Sequence, residues 1–320
     1  MLDLLRQRLG VVVAVALSVA VVVVLLATGE KESLVIGITT GAAYGMVALG
    51  LVLIYKSSGV FNFAQGEFGT VALYALYLLD FETSYWLALL GALVVAGLMG
   101  FLTERIVIRP LFNAPRVILL VATAGVALLA IGIQIWYTGA QARSVSKLFG
   151  RVDRVEILGR QISDQRLLLV GVLVVLAVLL ALFFTRTNLG LAILGASQEP
   201  TATELVGISV RRLSTFVWVL AALLGGLAAV MIVPDEPGSF GPGFMTANYL
   251  IPAFTAAVLG GMTSLPGAFV GGILIGIVQS VSTSAEIFQD IPGTPSTLVT
   301  FCVLLAVLLV RPQGLLGRRA

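Results

Sequence analysis

The sequence predicts an all-α protein that crosses a membrane many times, and three observations carry that reading. Of its 320 residues, 59 % are hydrophobic and 11 % charged, against roughly 45–50 % apolar and about 25 % charged in a soluble domain. The apolar residues gather in about ten runs, several of them near the ~20 residues that span a bilayer core. The charges fall between the runs. In lipid only helices and closed barrels satisfy their own backbone groups, and continuous rather than alternating apolar runs select helices. Residues 1–320 therefore read as one transmembrane domain with both termini cytoplasmic, some of its runs being half-spans or re-entrant segments.

Composition excludes other classes. The net charge of +3 comes from Lys and Arg beside the apolar runs, as membrane orientation requires. No basic patch interleaved with aromatics points to nucleic acid. With no histidine and one cysteine, Cys302, inside an apolar run, disulfide frameworks, thiolate metal sites and histidine acid–base chemistry are ruled out within the chain. No stretch reads G-x-x-x-x-G-K-S/T, so that phosphate loop is missing too. The expectation is a chain without catalytic residue, metal or cofactor of its own.

Arg6 and Arg8 precede the run Val11 to Ala27. It is longer than a signal-peptide core, which favours a retained first span over a signal anchor. Leu34 to Ile54 then returns inward, with Gly37, Gly41 and Gly45 on one face. Small residues at this spacing let helix backbones approach; the same face, with Thr39, Thr40 and Tyr44, could instead line a solute path. In Ser57 to Thr70, Asn62, Gln65 and Glu67 interrupt an otherwise apolar span. If that span begins near Val60, Glu67 lies on the order of 10 Å inside, where carboxylates face a cavity, a pathway or a polar partner. Gly59 and Gly66 permit a broken start. Two readings stand for this stretch, a pathway and a structural polar knot, and the candidate pathway residues are Thr40, Gly41, Tyr44, Asn62, Gln65 and Glu67.

Asp80 and Glu82 mark an outer end, and Tyr85 and Trp86 anchor a span from Trp86 to Leu102. Glu104, Arg105, Arg109 and Arg116 place Thr103 to Arg116 inside. Val117 to Trp136 leads out to an extracytoplasmic loop, residues 137–166, which is net basic, and Leu167 to Phe184 returns. Residues 185–213 form a cytoplasmic loop flanked by Arg186, Arg211 and Arg212. Within it Thr201 and Glu204 fit a capping box, Ala202, Leu205 and Val206 make one apolar stripe, and Gly207 stops the helix. Either a partner docks on the stripe or it rests on the bilayer or its own bundle. Leu213 to Val233 runs out to a Gly- and Pro-rich external loop, Pro234 to Asn248. Short Tyr249 to Leu259, a turn at Gly260 to Pro266, Gly267 to Ser282 and Thr297 to Val310 complete the spans, with Arg311, Arg318 and Arg319 at the close. The short Gly-bounded segment matches the broken one at Ser57 to Thr70, as in transporters with repeated halves, but the two sequences are too unlike to make a repeat.

GITTGAAYGMVALGLVLIYKSSGVFNFAQGEF (Gly37 to Phe68) resembles the signature of membrane subunits of bacterial branched-chain amino acid ABC importers, a Gly/Tyr-rich helix followed by N-F/M-A-H/Q-G-E. NLGLAILGASQEPTATELVGISVRRLSTFVWVLAALLGGLAAV (Asn188 to Val230) is similar to their cytoplasmic loop and next helix. AAVLGGMTSLPGAFVGGILIGIVQS (Ala256 to Ser280) and RPQGLLGRR (Arg311 to Arg319) also fit. The likeness covers most of the chain from Leu34 and departs at Gln65, where histidine is common, and in the basic outer loop.

The resemblance implies a multi-pass permease of the bacterial cytoplasmic (inner) membrane. It implies a second homologous permease subunit, two ATP-binding subunits that hold the ATP and Mg, and an extracytoplasmic solute-binding protein. Ala196, Ser197, Glu199, Thr201, Glu204 and Gly207 would then lie in the segment that couples to the ATPase. Urea and short-amide importers share the motifs. From other classes come an ion-coupled carrier or channel using Glu67 and a membrane scaffold.

Overall fold

The computed structural model describes residues 31–80, 84–112, 114–146, 154–157, 160–235, 239–284, 295–310 and 313–316. The first span, Val11 to Ala27, and the basic residues Arg6, Arg8, Arg311, Arg318 and Arg319 lie outside them.

The chain is mostly helical. Its elements are α1 (Lys31–Ser58), α2 (Gln65–Asp80), α3 (Tyr85–Leu102), α4 (Arg116–Thr138), α5 (Asp164–Arg186), α6 (Asn188–Gln198), α7 (Pro200–Leu205), α8 (Val210–Ile232), α9 (Ile251–Gly260), α10 (Leu265–Ser284) and α11 (Pro295–Val310). Among the described residues, six helices are long and apolar enough to cross a membrane: α1, α3 with its extension, α4, α5, α8 and α10. The apolar helices Thr246–Gly260 and Pro295–Leu309 are shorter, as the Gly and Pro punctuation predicts.

α1 and α8 form the centre. Trp218 of α8 is fully buried with its ring edge-on to Phe68, and α1 packs along α10 through glycine. A Cβ at Gly41 would stand 2.7 Å from the Gly272 carbonyl oxygen and from Ile273 Cα, and one at Gly37 would stand 2.5 Å from Ile277 Cα. The four-residue glycine spacing is therefore a helix contact in which backbone touches backbone. α3, α4 and α5 lie outside, showing Leu90, Val94, Val121, Leu128, Val175 and Leu179 on their surfaces.

Four expectations need correction. The all-α reading misses a hairpin in the 137–166 loop, where β1 (Arg154–Ile157) pairs antiparallel with β2 (Arg160–Ser163) and Val155 faces Ile162. Val155, Ile157 and Ile162 alternate with polar residues, which is the period of a strand. The span expected to end at Leu102 runs on: α3 continues through a π-turn, Thr103–Ile108, carrying Glu104 and Arg105. The capping box at Thr201 and Glu204 is not formed, because α7 starts two residues earlier than it requires, at Pro200 with Glu199 at the N-cap and no side-chain cap. Proline suits a first helical position, where its missing N–H is not needed. Finally, Pro234 to Asn248 is not a loop throughout. Phe240 and Met245 are fully buried, and a π-turn, Thr246–Leu250, leads directly into α9.

Candidate functional site

The break between α1 and α2 is the first component. Gly59 adopts φ +65°, a region open to glycine at little cost, and its N–H closes on the Tyr55 carbonyl at 2.7 Å. The next residues run irregularly through the bundle, so their backbone needs partners inside the protein. Thr123 on α4 supplies them, accepting from the Phe63 N–H at 3.1 Å and donating to the Phe61 carbonyl at 3.2 Å. Asn62 turns the chain by accepting from the Ala64 N–H at 3.0 Å and donates to Gln65 Oε1 at 3.3 Å. Gln65 Nε2 then reaches the Ala221 carbonyl of α8 at 2.9 Å. Its amide fits a slot between Gly50 of α1 and Gly225 of α8.

Glu67 is fully buried in the first turn of α2. Its Oε2 accepts from Gln134 Nε2 of α4 at 2.7 Å, and Gln134 Oε1 accepts from the Gly243 N–H at 3.0 Å. One turn on, Thr70 Oγ1 accepts from the Met245 N–H at 3.2 Å. Residues 243–246 are thus stitched to α2 and α4, with Gly66 leaving room for Thr246. Glu67 Oε1 and Thr246 Oγ1 lie beside each other, and among the described residues neither makes a hydrogen bond of full geometry.

The other side of the same segment lines the second component, a cavity of about 410 Å³ bounded by α1, α10 and α11 as well. Phe244, Tyr249, Ile251 and Pro252 provide apolar surface, and Tyr44, Asn248, Gln279 and Thr300 provide polar groups. No charged residue among the described ones lines it. Gln279 joins three helices: its Oε1 accepts from the Tyr44 hydroxyl and its Nε2 donates to Thr300 Oγ1 at 2.6 Å. The predicted pathway residues therefore separate. Thr40 and Tyr44 line the cavity, Gly41 lies in the α1–α10 contact, and Asn62, Gln65 and Glu67 form the buried network. Gln134, Gln279 and Thr300 escaped the sequence reading. They sit near the ends of apolar runs, where polar residues are common, and Gln134 and Gln279 are the only amides in theirs.

The third component is at the opposite end of α8, which runs about 34 Å from Val210 to Ile232 beside the cavity-lining Val233. Thr187 ends α5 and caps α6, accepting from the Gly190 N–H at 3.0 Å. Ile193 and Ala196 hold α6 to the bundle; Ser197 bonds back to the Leu194 carbonyl. On α7 only Thr203 turns inward. Glu199, Thr201, Ala202 and Glu204 are exposed, Leu205 is 84 % exposed and Val206 74 %. Gly207, at φ +84°, ends the helix as its position predicts, its N–H on the Glu204 carbonyl at 3.0 Å. Beside it Glu104, 2 % exposed, pairs with Arg109 at 3.1 Å and accepts from Thr215 Oγ1 at 2.8 Å. This clasp ties the end of α3 to the start of α8. In the sequence Glu104 and Arg109 signal only the orientation of the neighbouring spans.

Fold and site together define a multi-pass α-helical transport protein, with a solute-sized cavity that no described charged residue lines and, at the other end of α8, a short helix whose apolar residues no described residue covers. The chain belongs to the family described as branched-chain amino acid transport system, permease component, whose model matches residues 33–309. It is 29 % identical to the high-affinity branched-chain amino acid transport system permease protein LivH of Salmonella typhimurium, over 88 % of this chain and 94 % of that protein. It is 32 % identical to the corresponding permease BraD of Pseudomonas aeruginosa, over 90 % and 95 %. The probable LivH permease of Methanocaldococcus jannaschii is 29 % identical, over 90 % and 93 %.

Proposed function

We infer that the chain is the permease subunit of an ATP-binding cassette importer that moves branched-chain, aliphatic amino acids across the bacterial inner membrane. It would work with a second permease, two ATP-binding subunits and an extracytoplasmic solute-binding protein. In this reading the α6–α7 end and both termini face the cytoplasm, the 137–166 loop faces outward, and the first span brings the apolar segments to about ten.

One observation carries the mechanism: in a chain of this family, α7 leaves Leu205 and Val206 exposed, with nothing among the described residues covering them. An apolar stripe on a short helix suits a groove on a partner. Displacement of α7 would pass through Gly207 into α8, and through the Glu104–Arg109–Thr215 clasp into α3. The glycine contact between α1 and α10 transmits motion with little loss, because backbones in direct contact have no side chains to compress. The far end would then open and close around the cavity. ATP chemistry belongs to the partners.

Uptake of labelled leucine into membrane vesicles tests the reading. It should require hydrolysable ATP and working ATPase subunits, and Glu204→Arg should depress it. Uptake that persists with the ATPases inactivated contradicts it. If transport instead follows a sodium or proton gradient and Glu67→Gln abolishes that dependence, the ion-coupled carrier is the better account. The uncharged cavity also suits urea or short amides, and competition by these solutes separates the cargoes.

A further inference from the structure

The cavity carries an inference beyond the transport reading, on which it rests. We propose that it is a solute subsite restricted to small molecules of zero net charge, with Gln279 as the residue that sets this rule.

Its chemistry is divided. Phe244, Tyr249 and Ile251 make a wall for hydrocarbon, while Tyr44, Gln279 and Thr300 present hydroxyl and amide groups. A site of this size falls in the range of small-molecule pockets. Among the described residues no charged side chain lines it, so a solute bearing one net charge would lose hydration and gain no opposing charge from them, which is unfavourable. A zwitterion carries its counter-charge with it, and a neutral amide needs none. Hydroxyls turn to donate or accept as the solute requires.

Gln279 is the centre of the polar wall. Its amide occupies both neighbours at once, accepting from Tyr44 on α1 and donating to Thr300 on α11. An amide is the neutral group that does both. Glutamate has nearly the same shape, and the Thr300 hydroxyl can turn to donate to it. Gln279→Glu therefore places one negative charge in the cavity with little change of volume and should invert the charge preference.

The test uses the assembled permease–ATPase complex in lipid nanodiscs without its solute-binding protein, so that selectivity upstream does not enter. Equilibrium binding is measured for leucine (zwitterion), acetamide (neutral), leucinamide (cation) and 4-methylpentanoate (anion). The wild type should bind leucine or acetamide and hold both charged analogues at least roughly tenfold more weakly. Gln279→Glu should strengthen leucinamide relative to leucine by about tenfold or more, and Gln279→Leu and Thr300→Val should weaken leucine without loss of the assembled complex. Leucinamide bound as tightly as leucine by the wild type overturns the proposal. So does an unchanged ranking in Gln279→Glu, or measurable binding of neither leucine nor acetamide. ATP-driven leucine uptake by the wild type with its binding protein separates the two ideas: normal uptake beside a failed binding test removes the subsite alone, and absent uptake removes the importer.

Discussion

α1 and α5 are both long apolar helices, and they stand in opposite surroundings. α5 is the most hydrophobic of the six spans, yet 22 % of its membrane-crossing part is buried inside the protein, against 83 % for α1. In water the more apolar helix would be the buried one. In a bilayer the lipid tails are as apolar as leucine, so hydrophobicity does not draw helices together and small residues and polar contacts do. α1 has Gly37, Gly41, Gly45 and Gly50 pressed against its neighbours, whereas a Cβ at Gly171 of α5 would meet nothing within 4 Å. Val175 and Leu179 of α5 lie on the outer surface, while the glycines of α1 and the buried amides Gln65 and Gln134 mark the interior.

The largest effect that could break this contrast is expected at Gly41. Gly41→Val forces a branched side chain into the α10 backbone, and overpacking without room to relax should cost on the order of 3 kcal/mol or more. Size-exclusion chromatography and thermal unfolding in detergent should show little folded protein. A well-folded variant would mean that the helix contact yields.

A smaller effect, of opposite sign, is expected at the polar network. Glutamine at position 67 can accept from Gln134 with its oxygen and donate its NH₂ to Thr246 Oγ1, keeping these contacts without burying a carboxylate. Glu67→Gln should therefore raise thermal stability by about 1 kcal/mol. Clear destabilisation would show that the carboxylate is held by something other than these groups. The smallest effect is expected for Gly171→Leu on the lipid face of α5, within about 0.5 kcal/mol of the wild type in the same assay. A loss comparable to that of Gly41→Val would erase the distinction between the two helices.

The contrast also explains what could be read in advance. Periodic glycine, the polar break after Ser58 and the stop at Gly207 are local signals, and each predicts its local geometry. Partners distant in sequence left no such mark. Gln134 lies 67 residues from Glu67, and Gln279 lies 235 from Tyr44; nothing in an apolar run says which helix its one amide will face. Pro200 shows a local rule overruled by a stronger one, since a residue with no N–H to cap suits the first helical position and displaced the capping box. The hairpin at Arg154–Ser163 was missed because charge dominated the reading of that loop while the alternation of Val155, Ile157 and Ile162 passed unused.

The most direct test of the importer account is to purify the tagged chain gently from its native membrane and identify what accompanies it, for wild type, Leu205→Asp and Gly207→Trp. Leu205 is 84 % exposed and touches little of its own bundle, so the aspartate variant should remain folded. The account predicts that ATP-binding subunits and a second permease accompany the wild type, and that both variants keep the permease and shed the ATPases. Wild-type chain that comes without ATP-binding subunits, or variants that retain them undiminished, would contradict it.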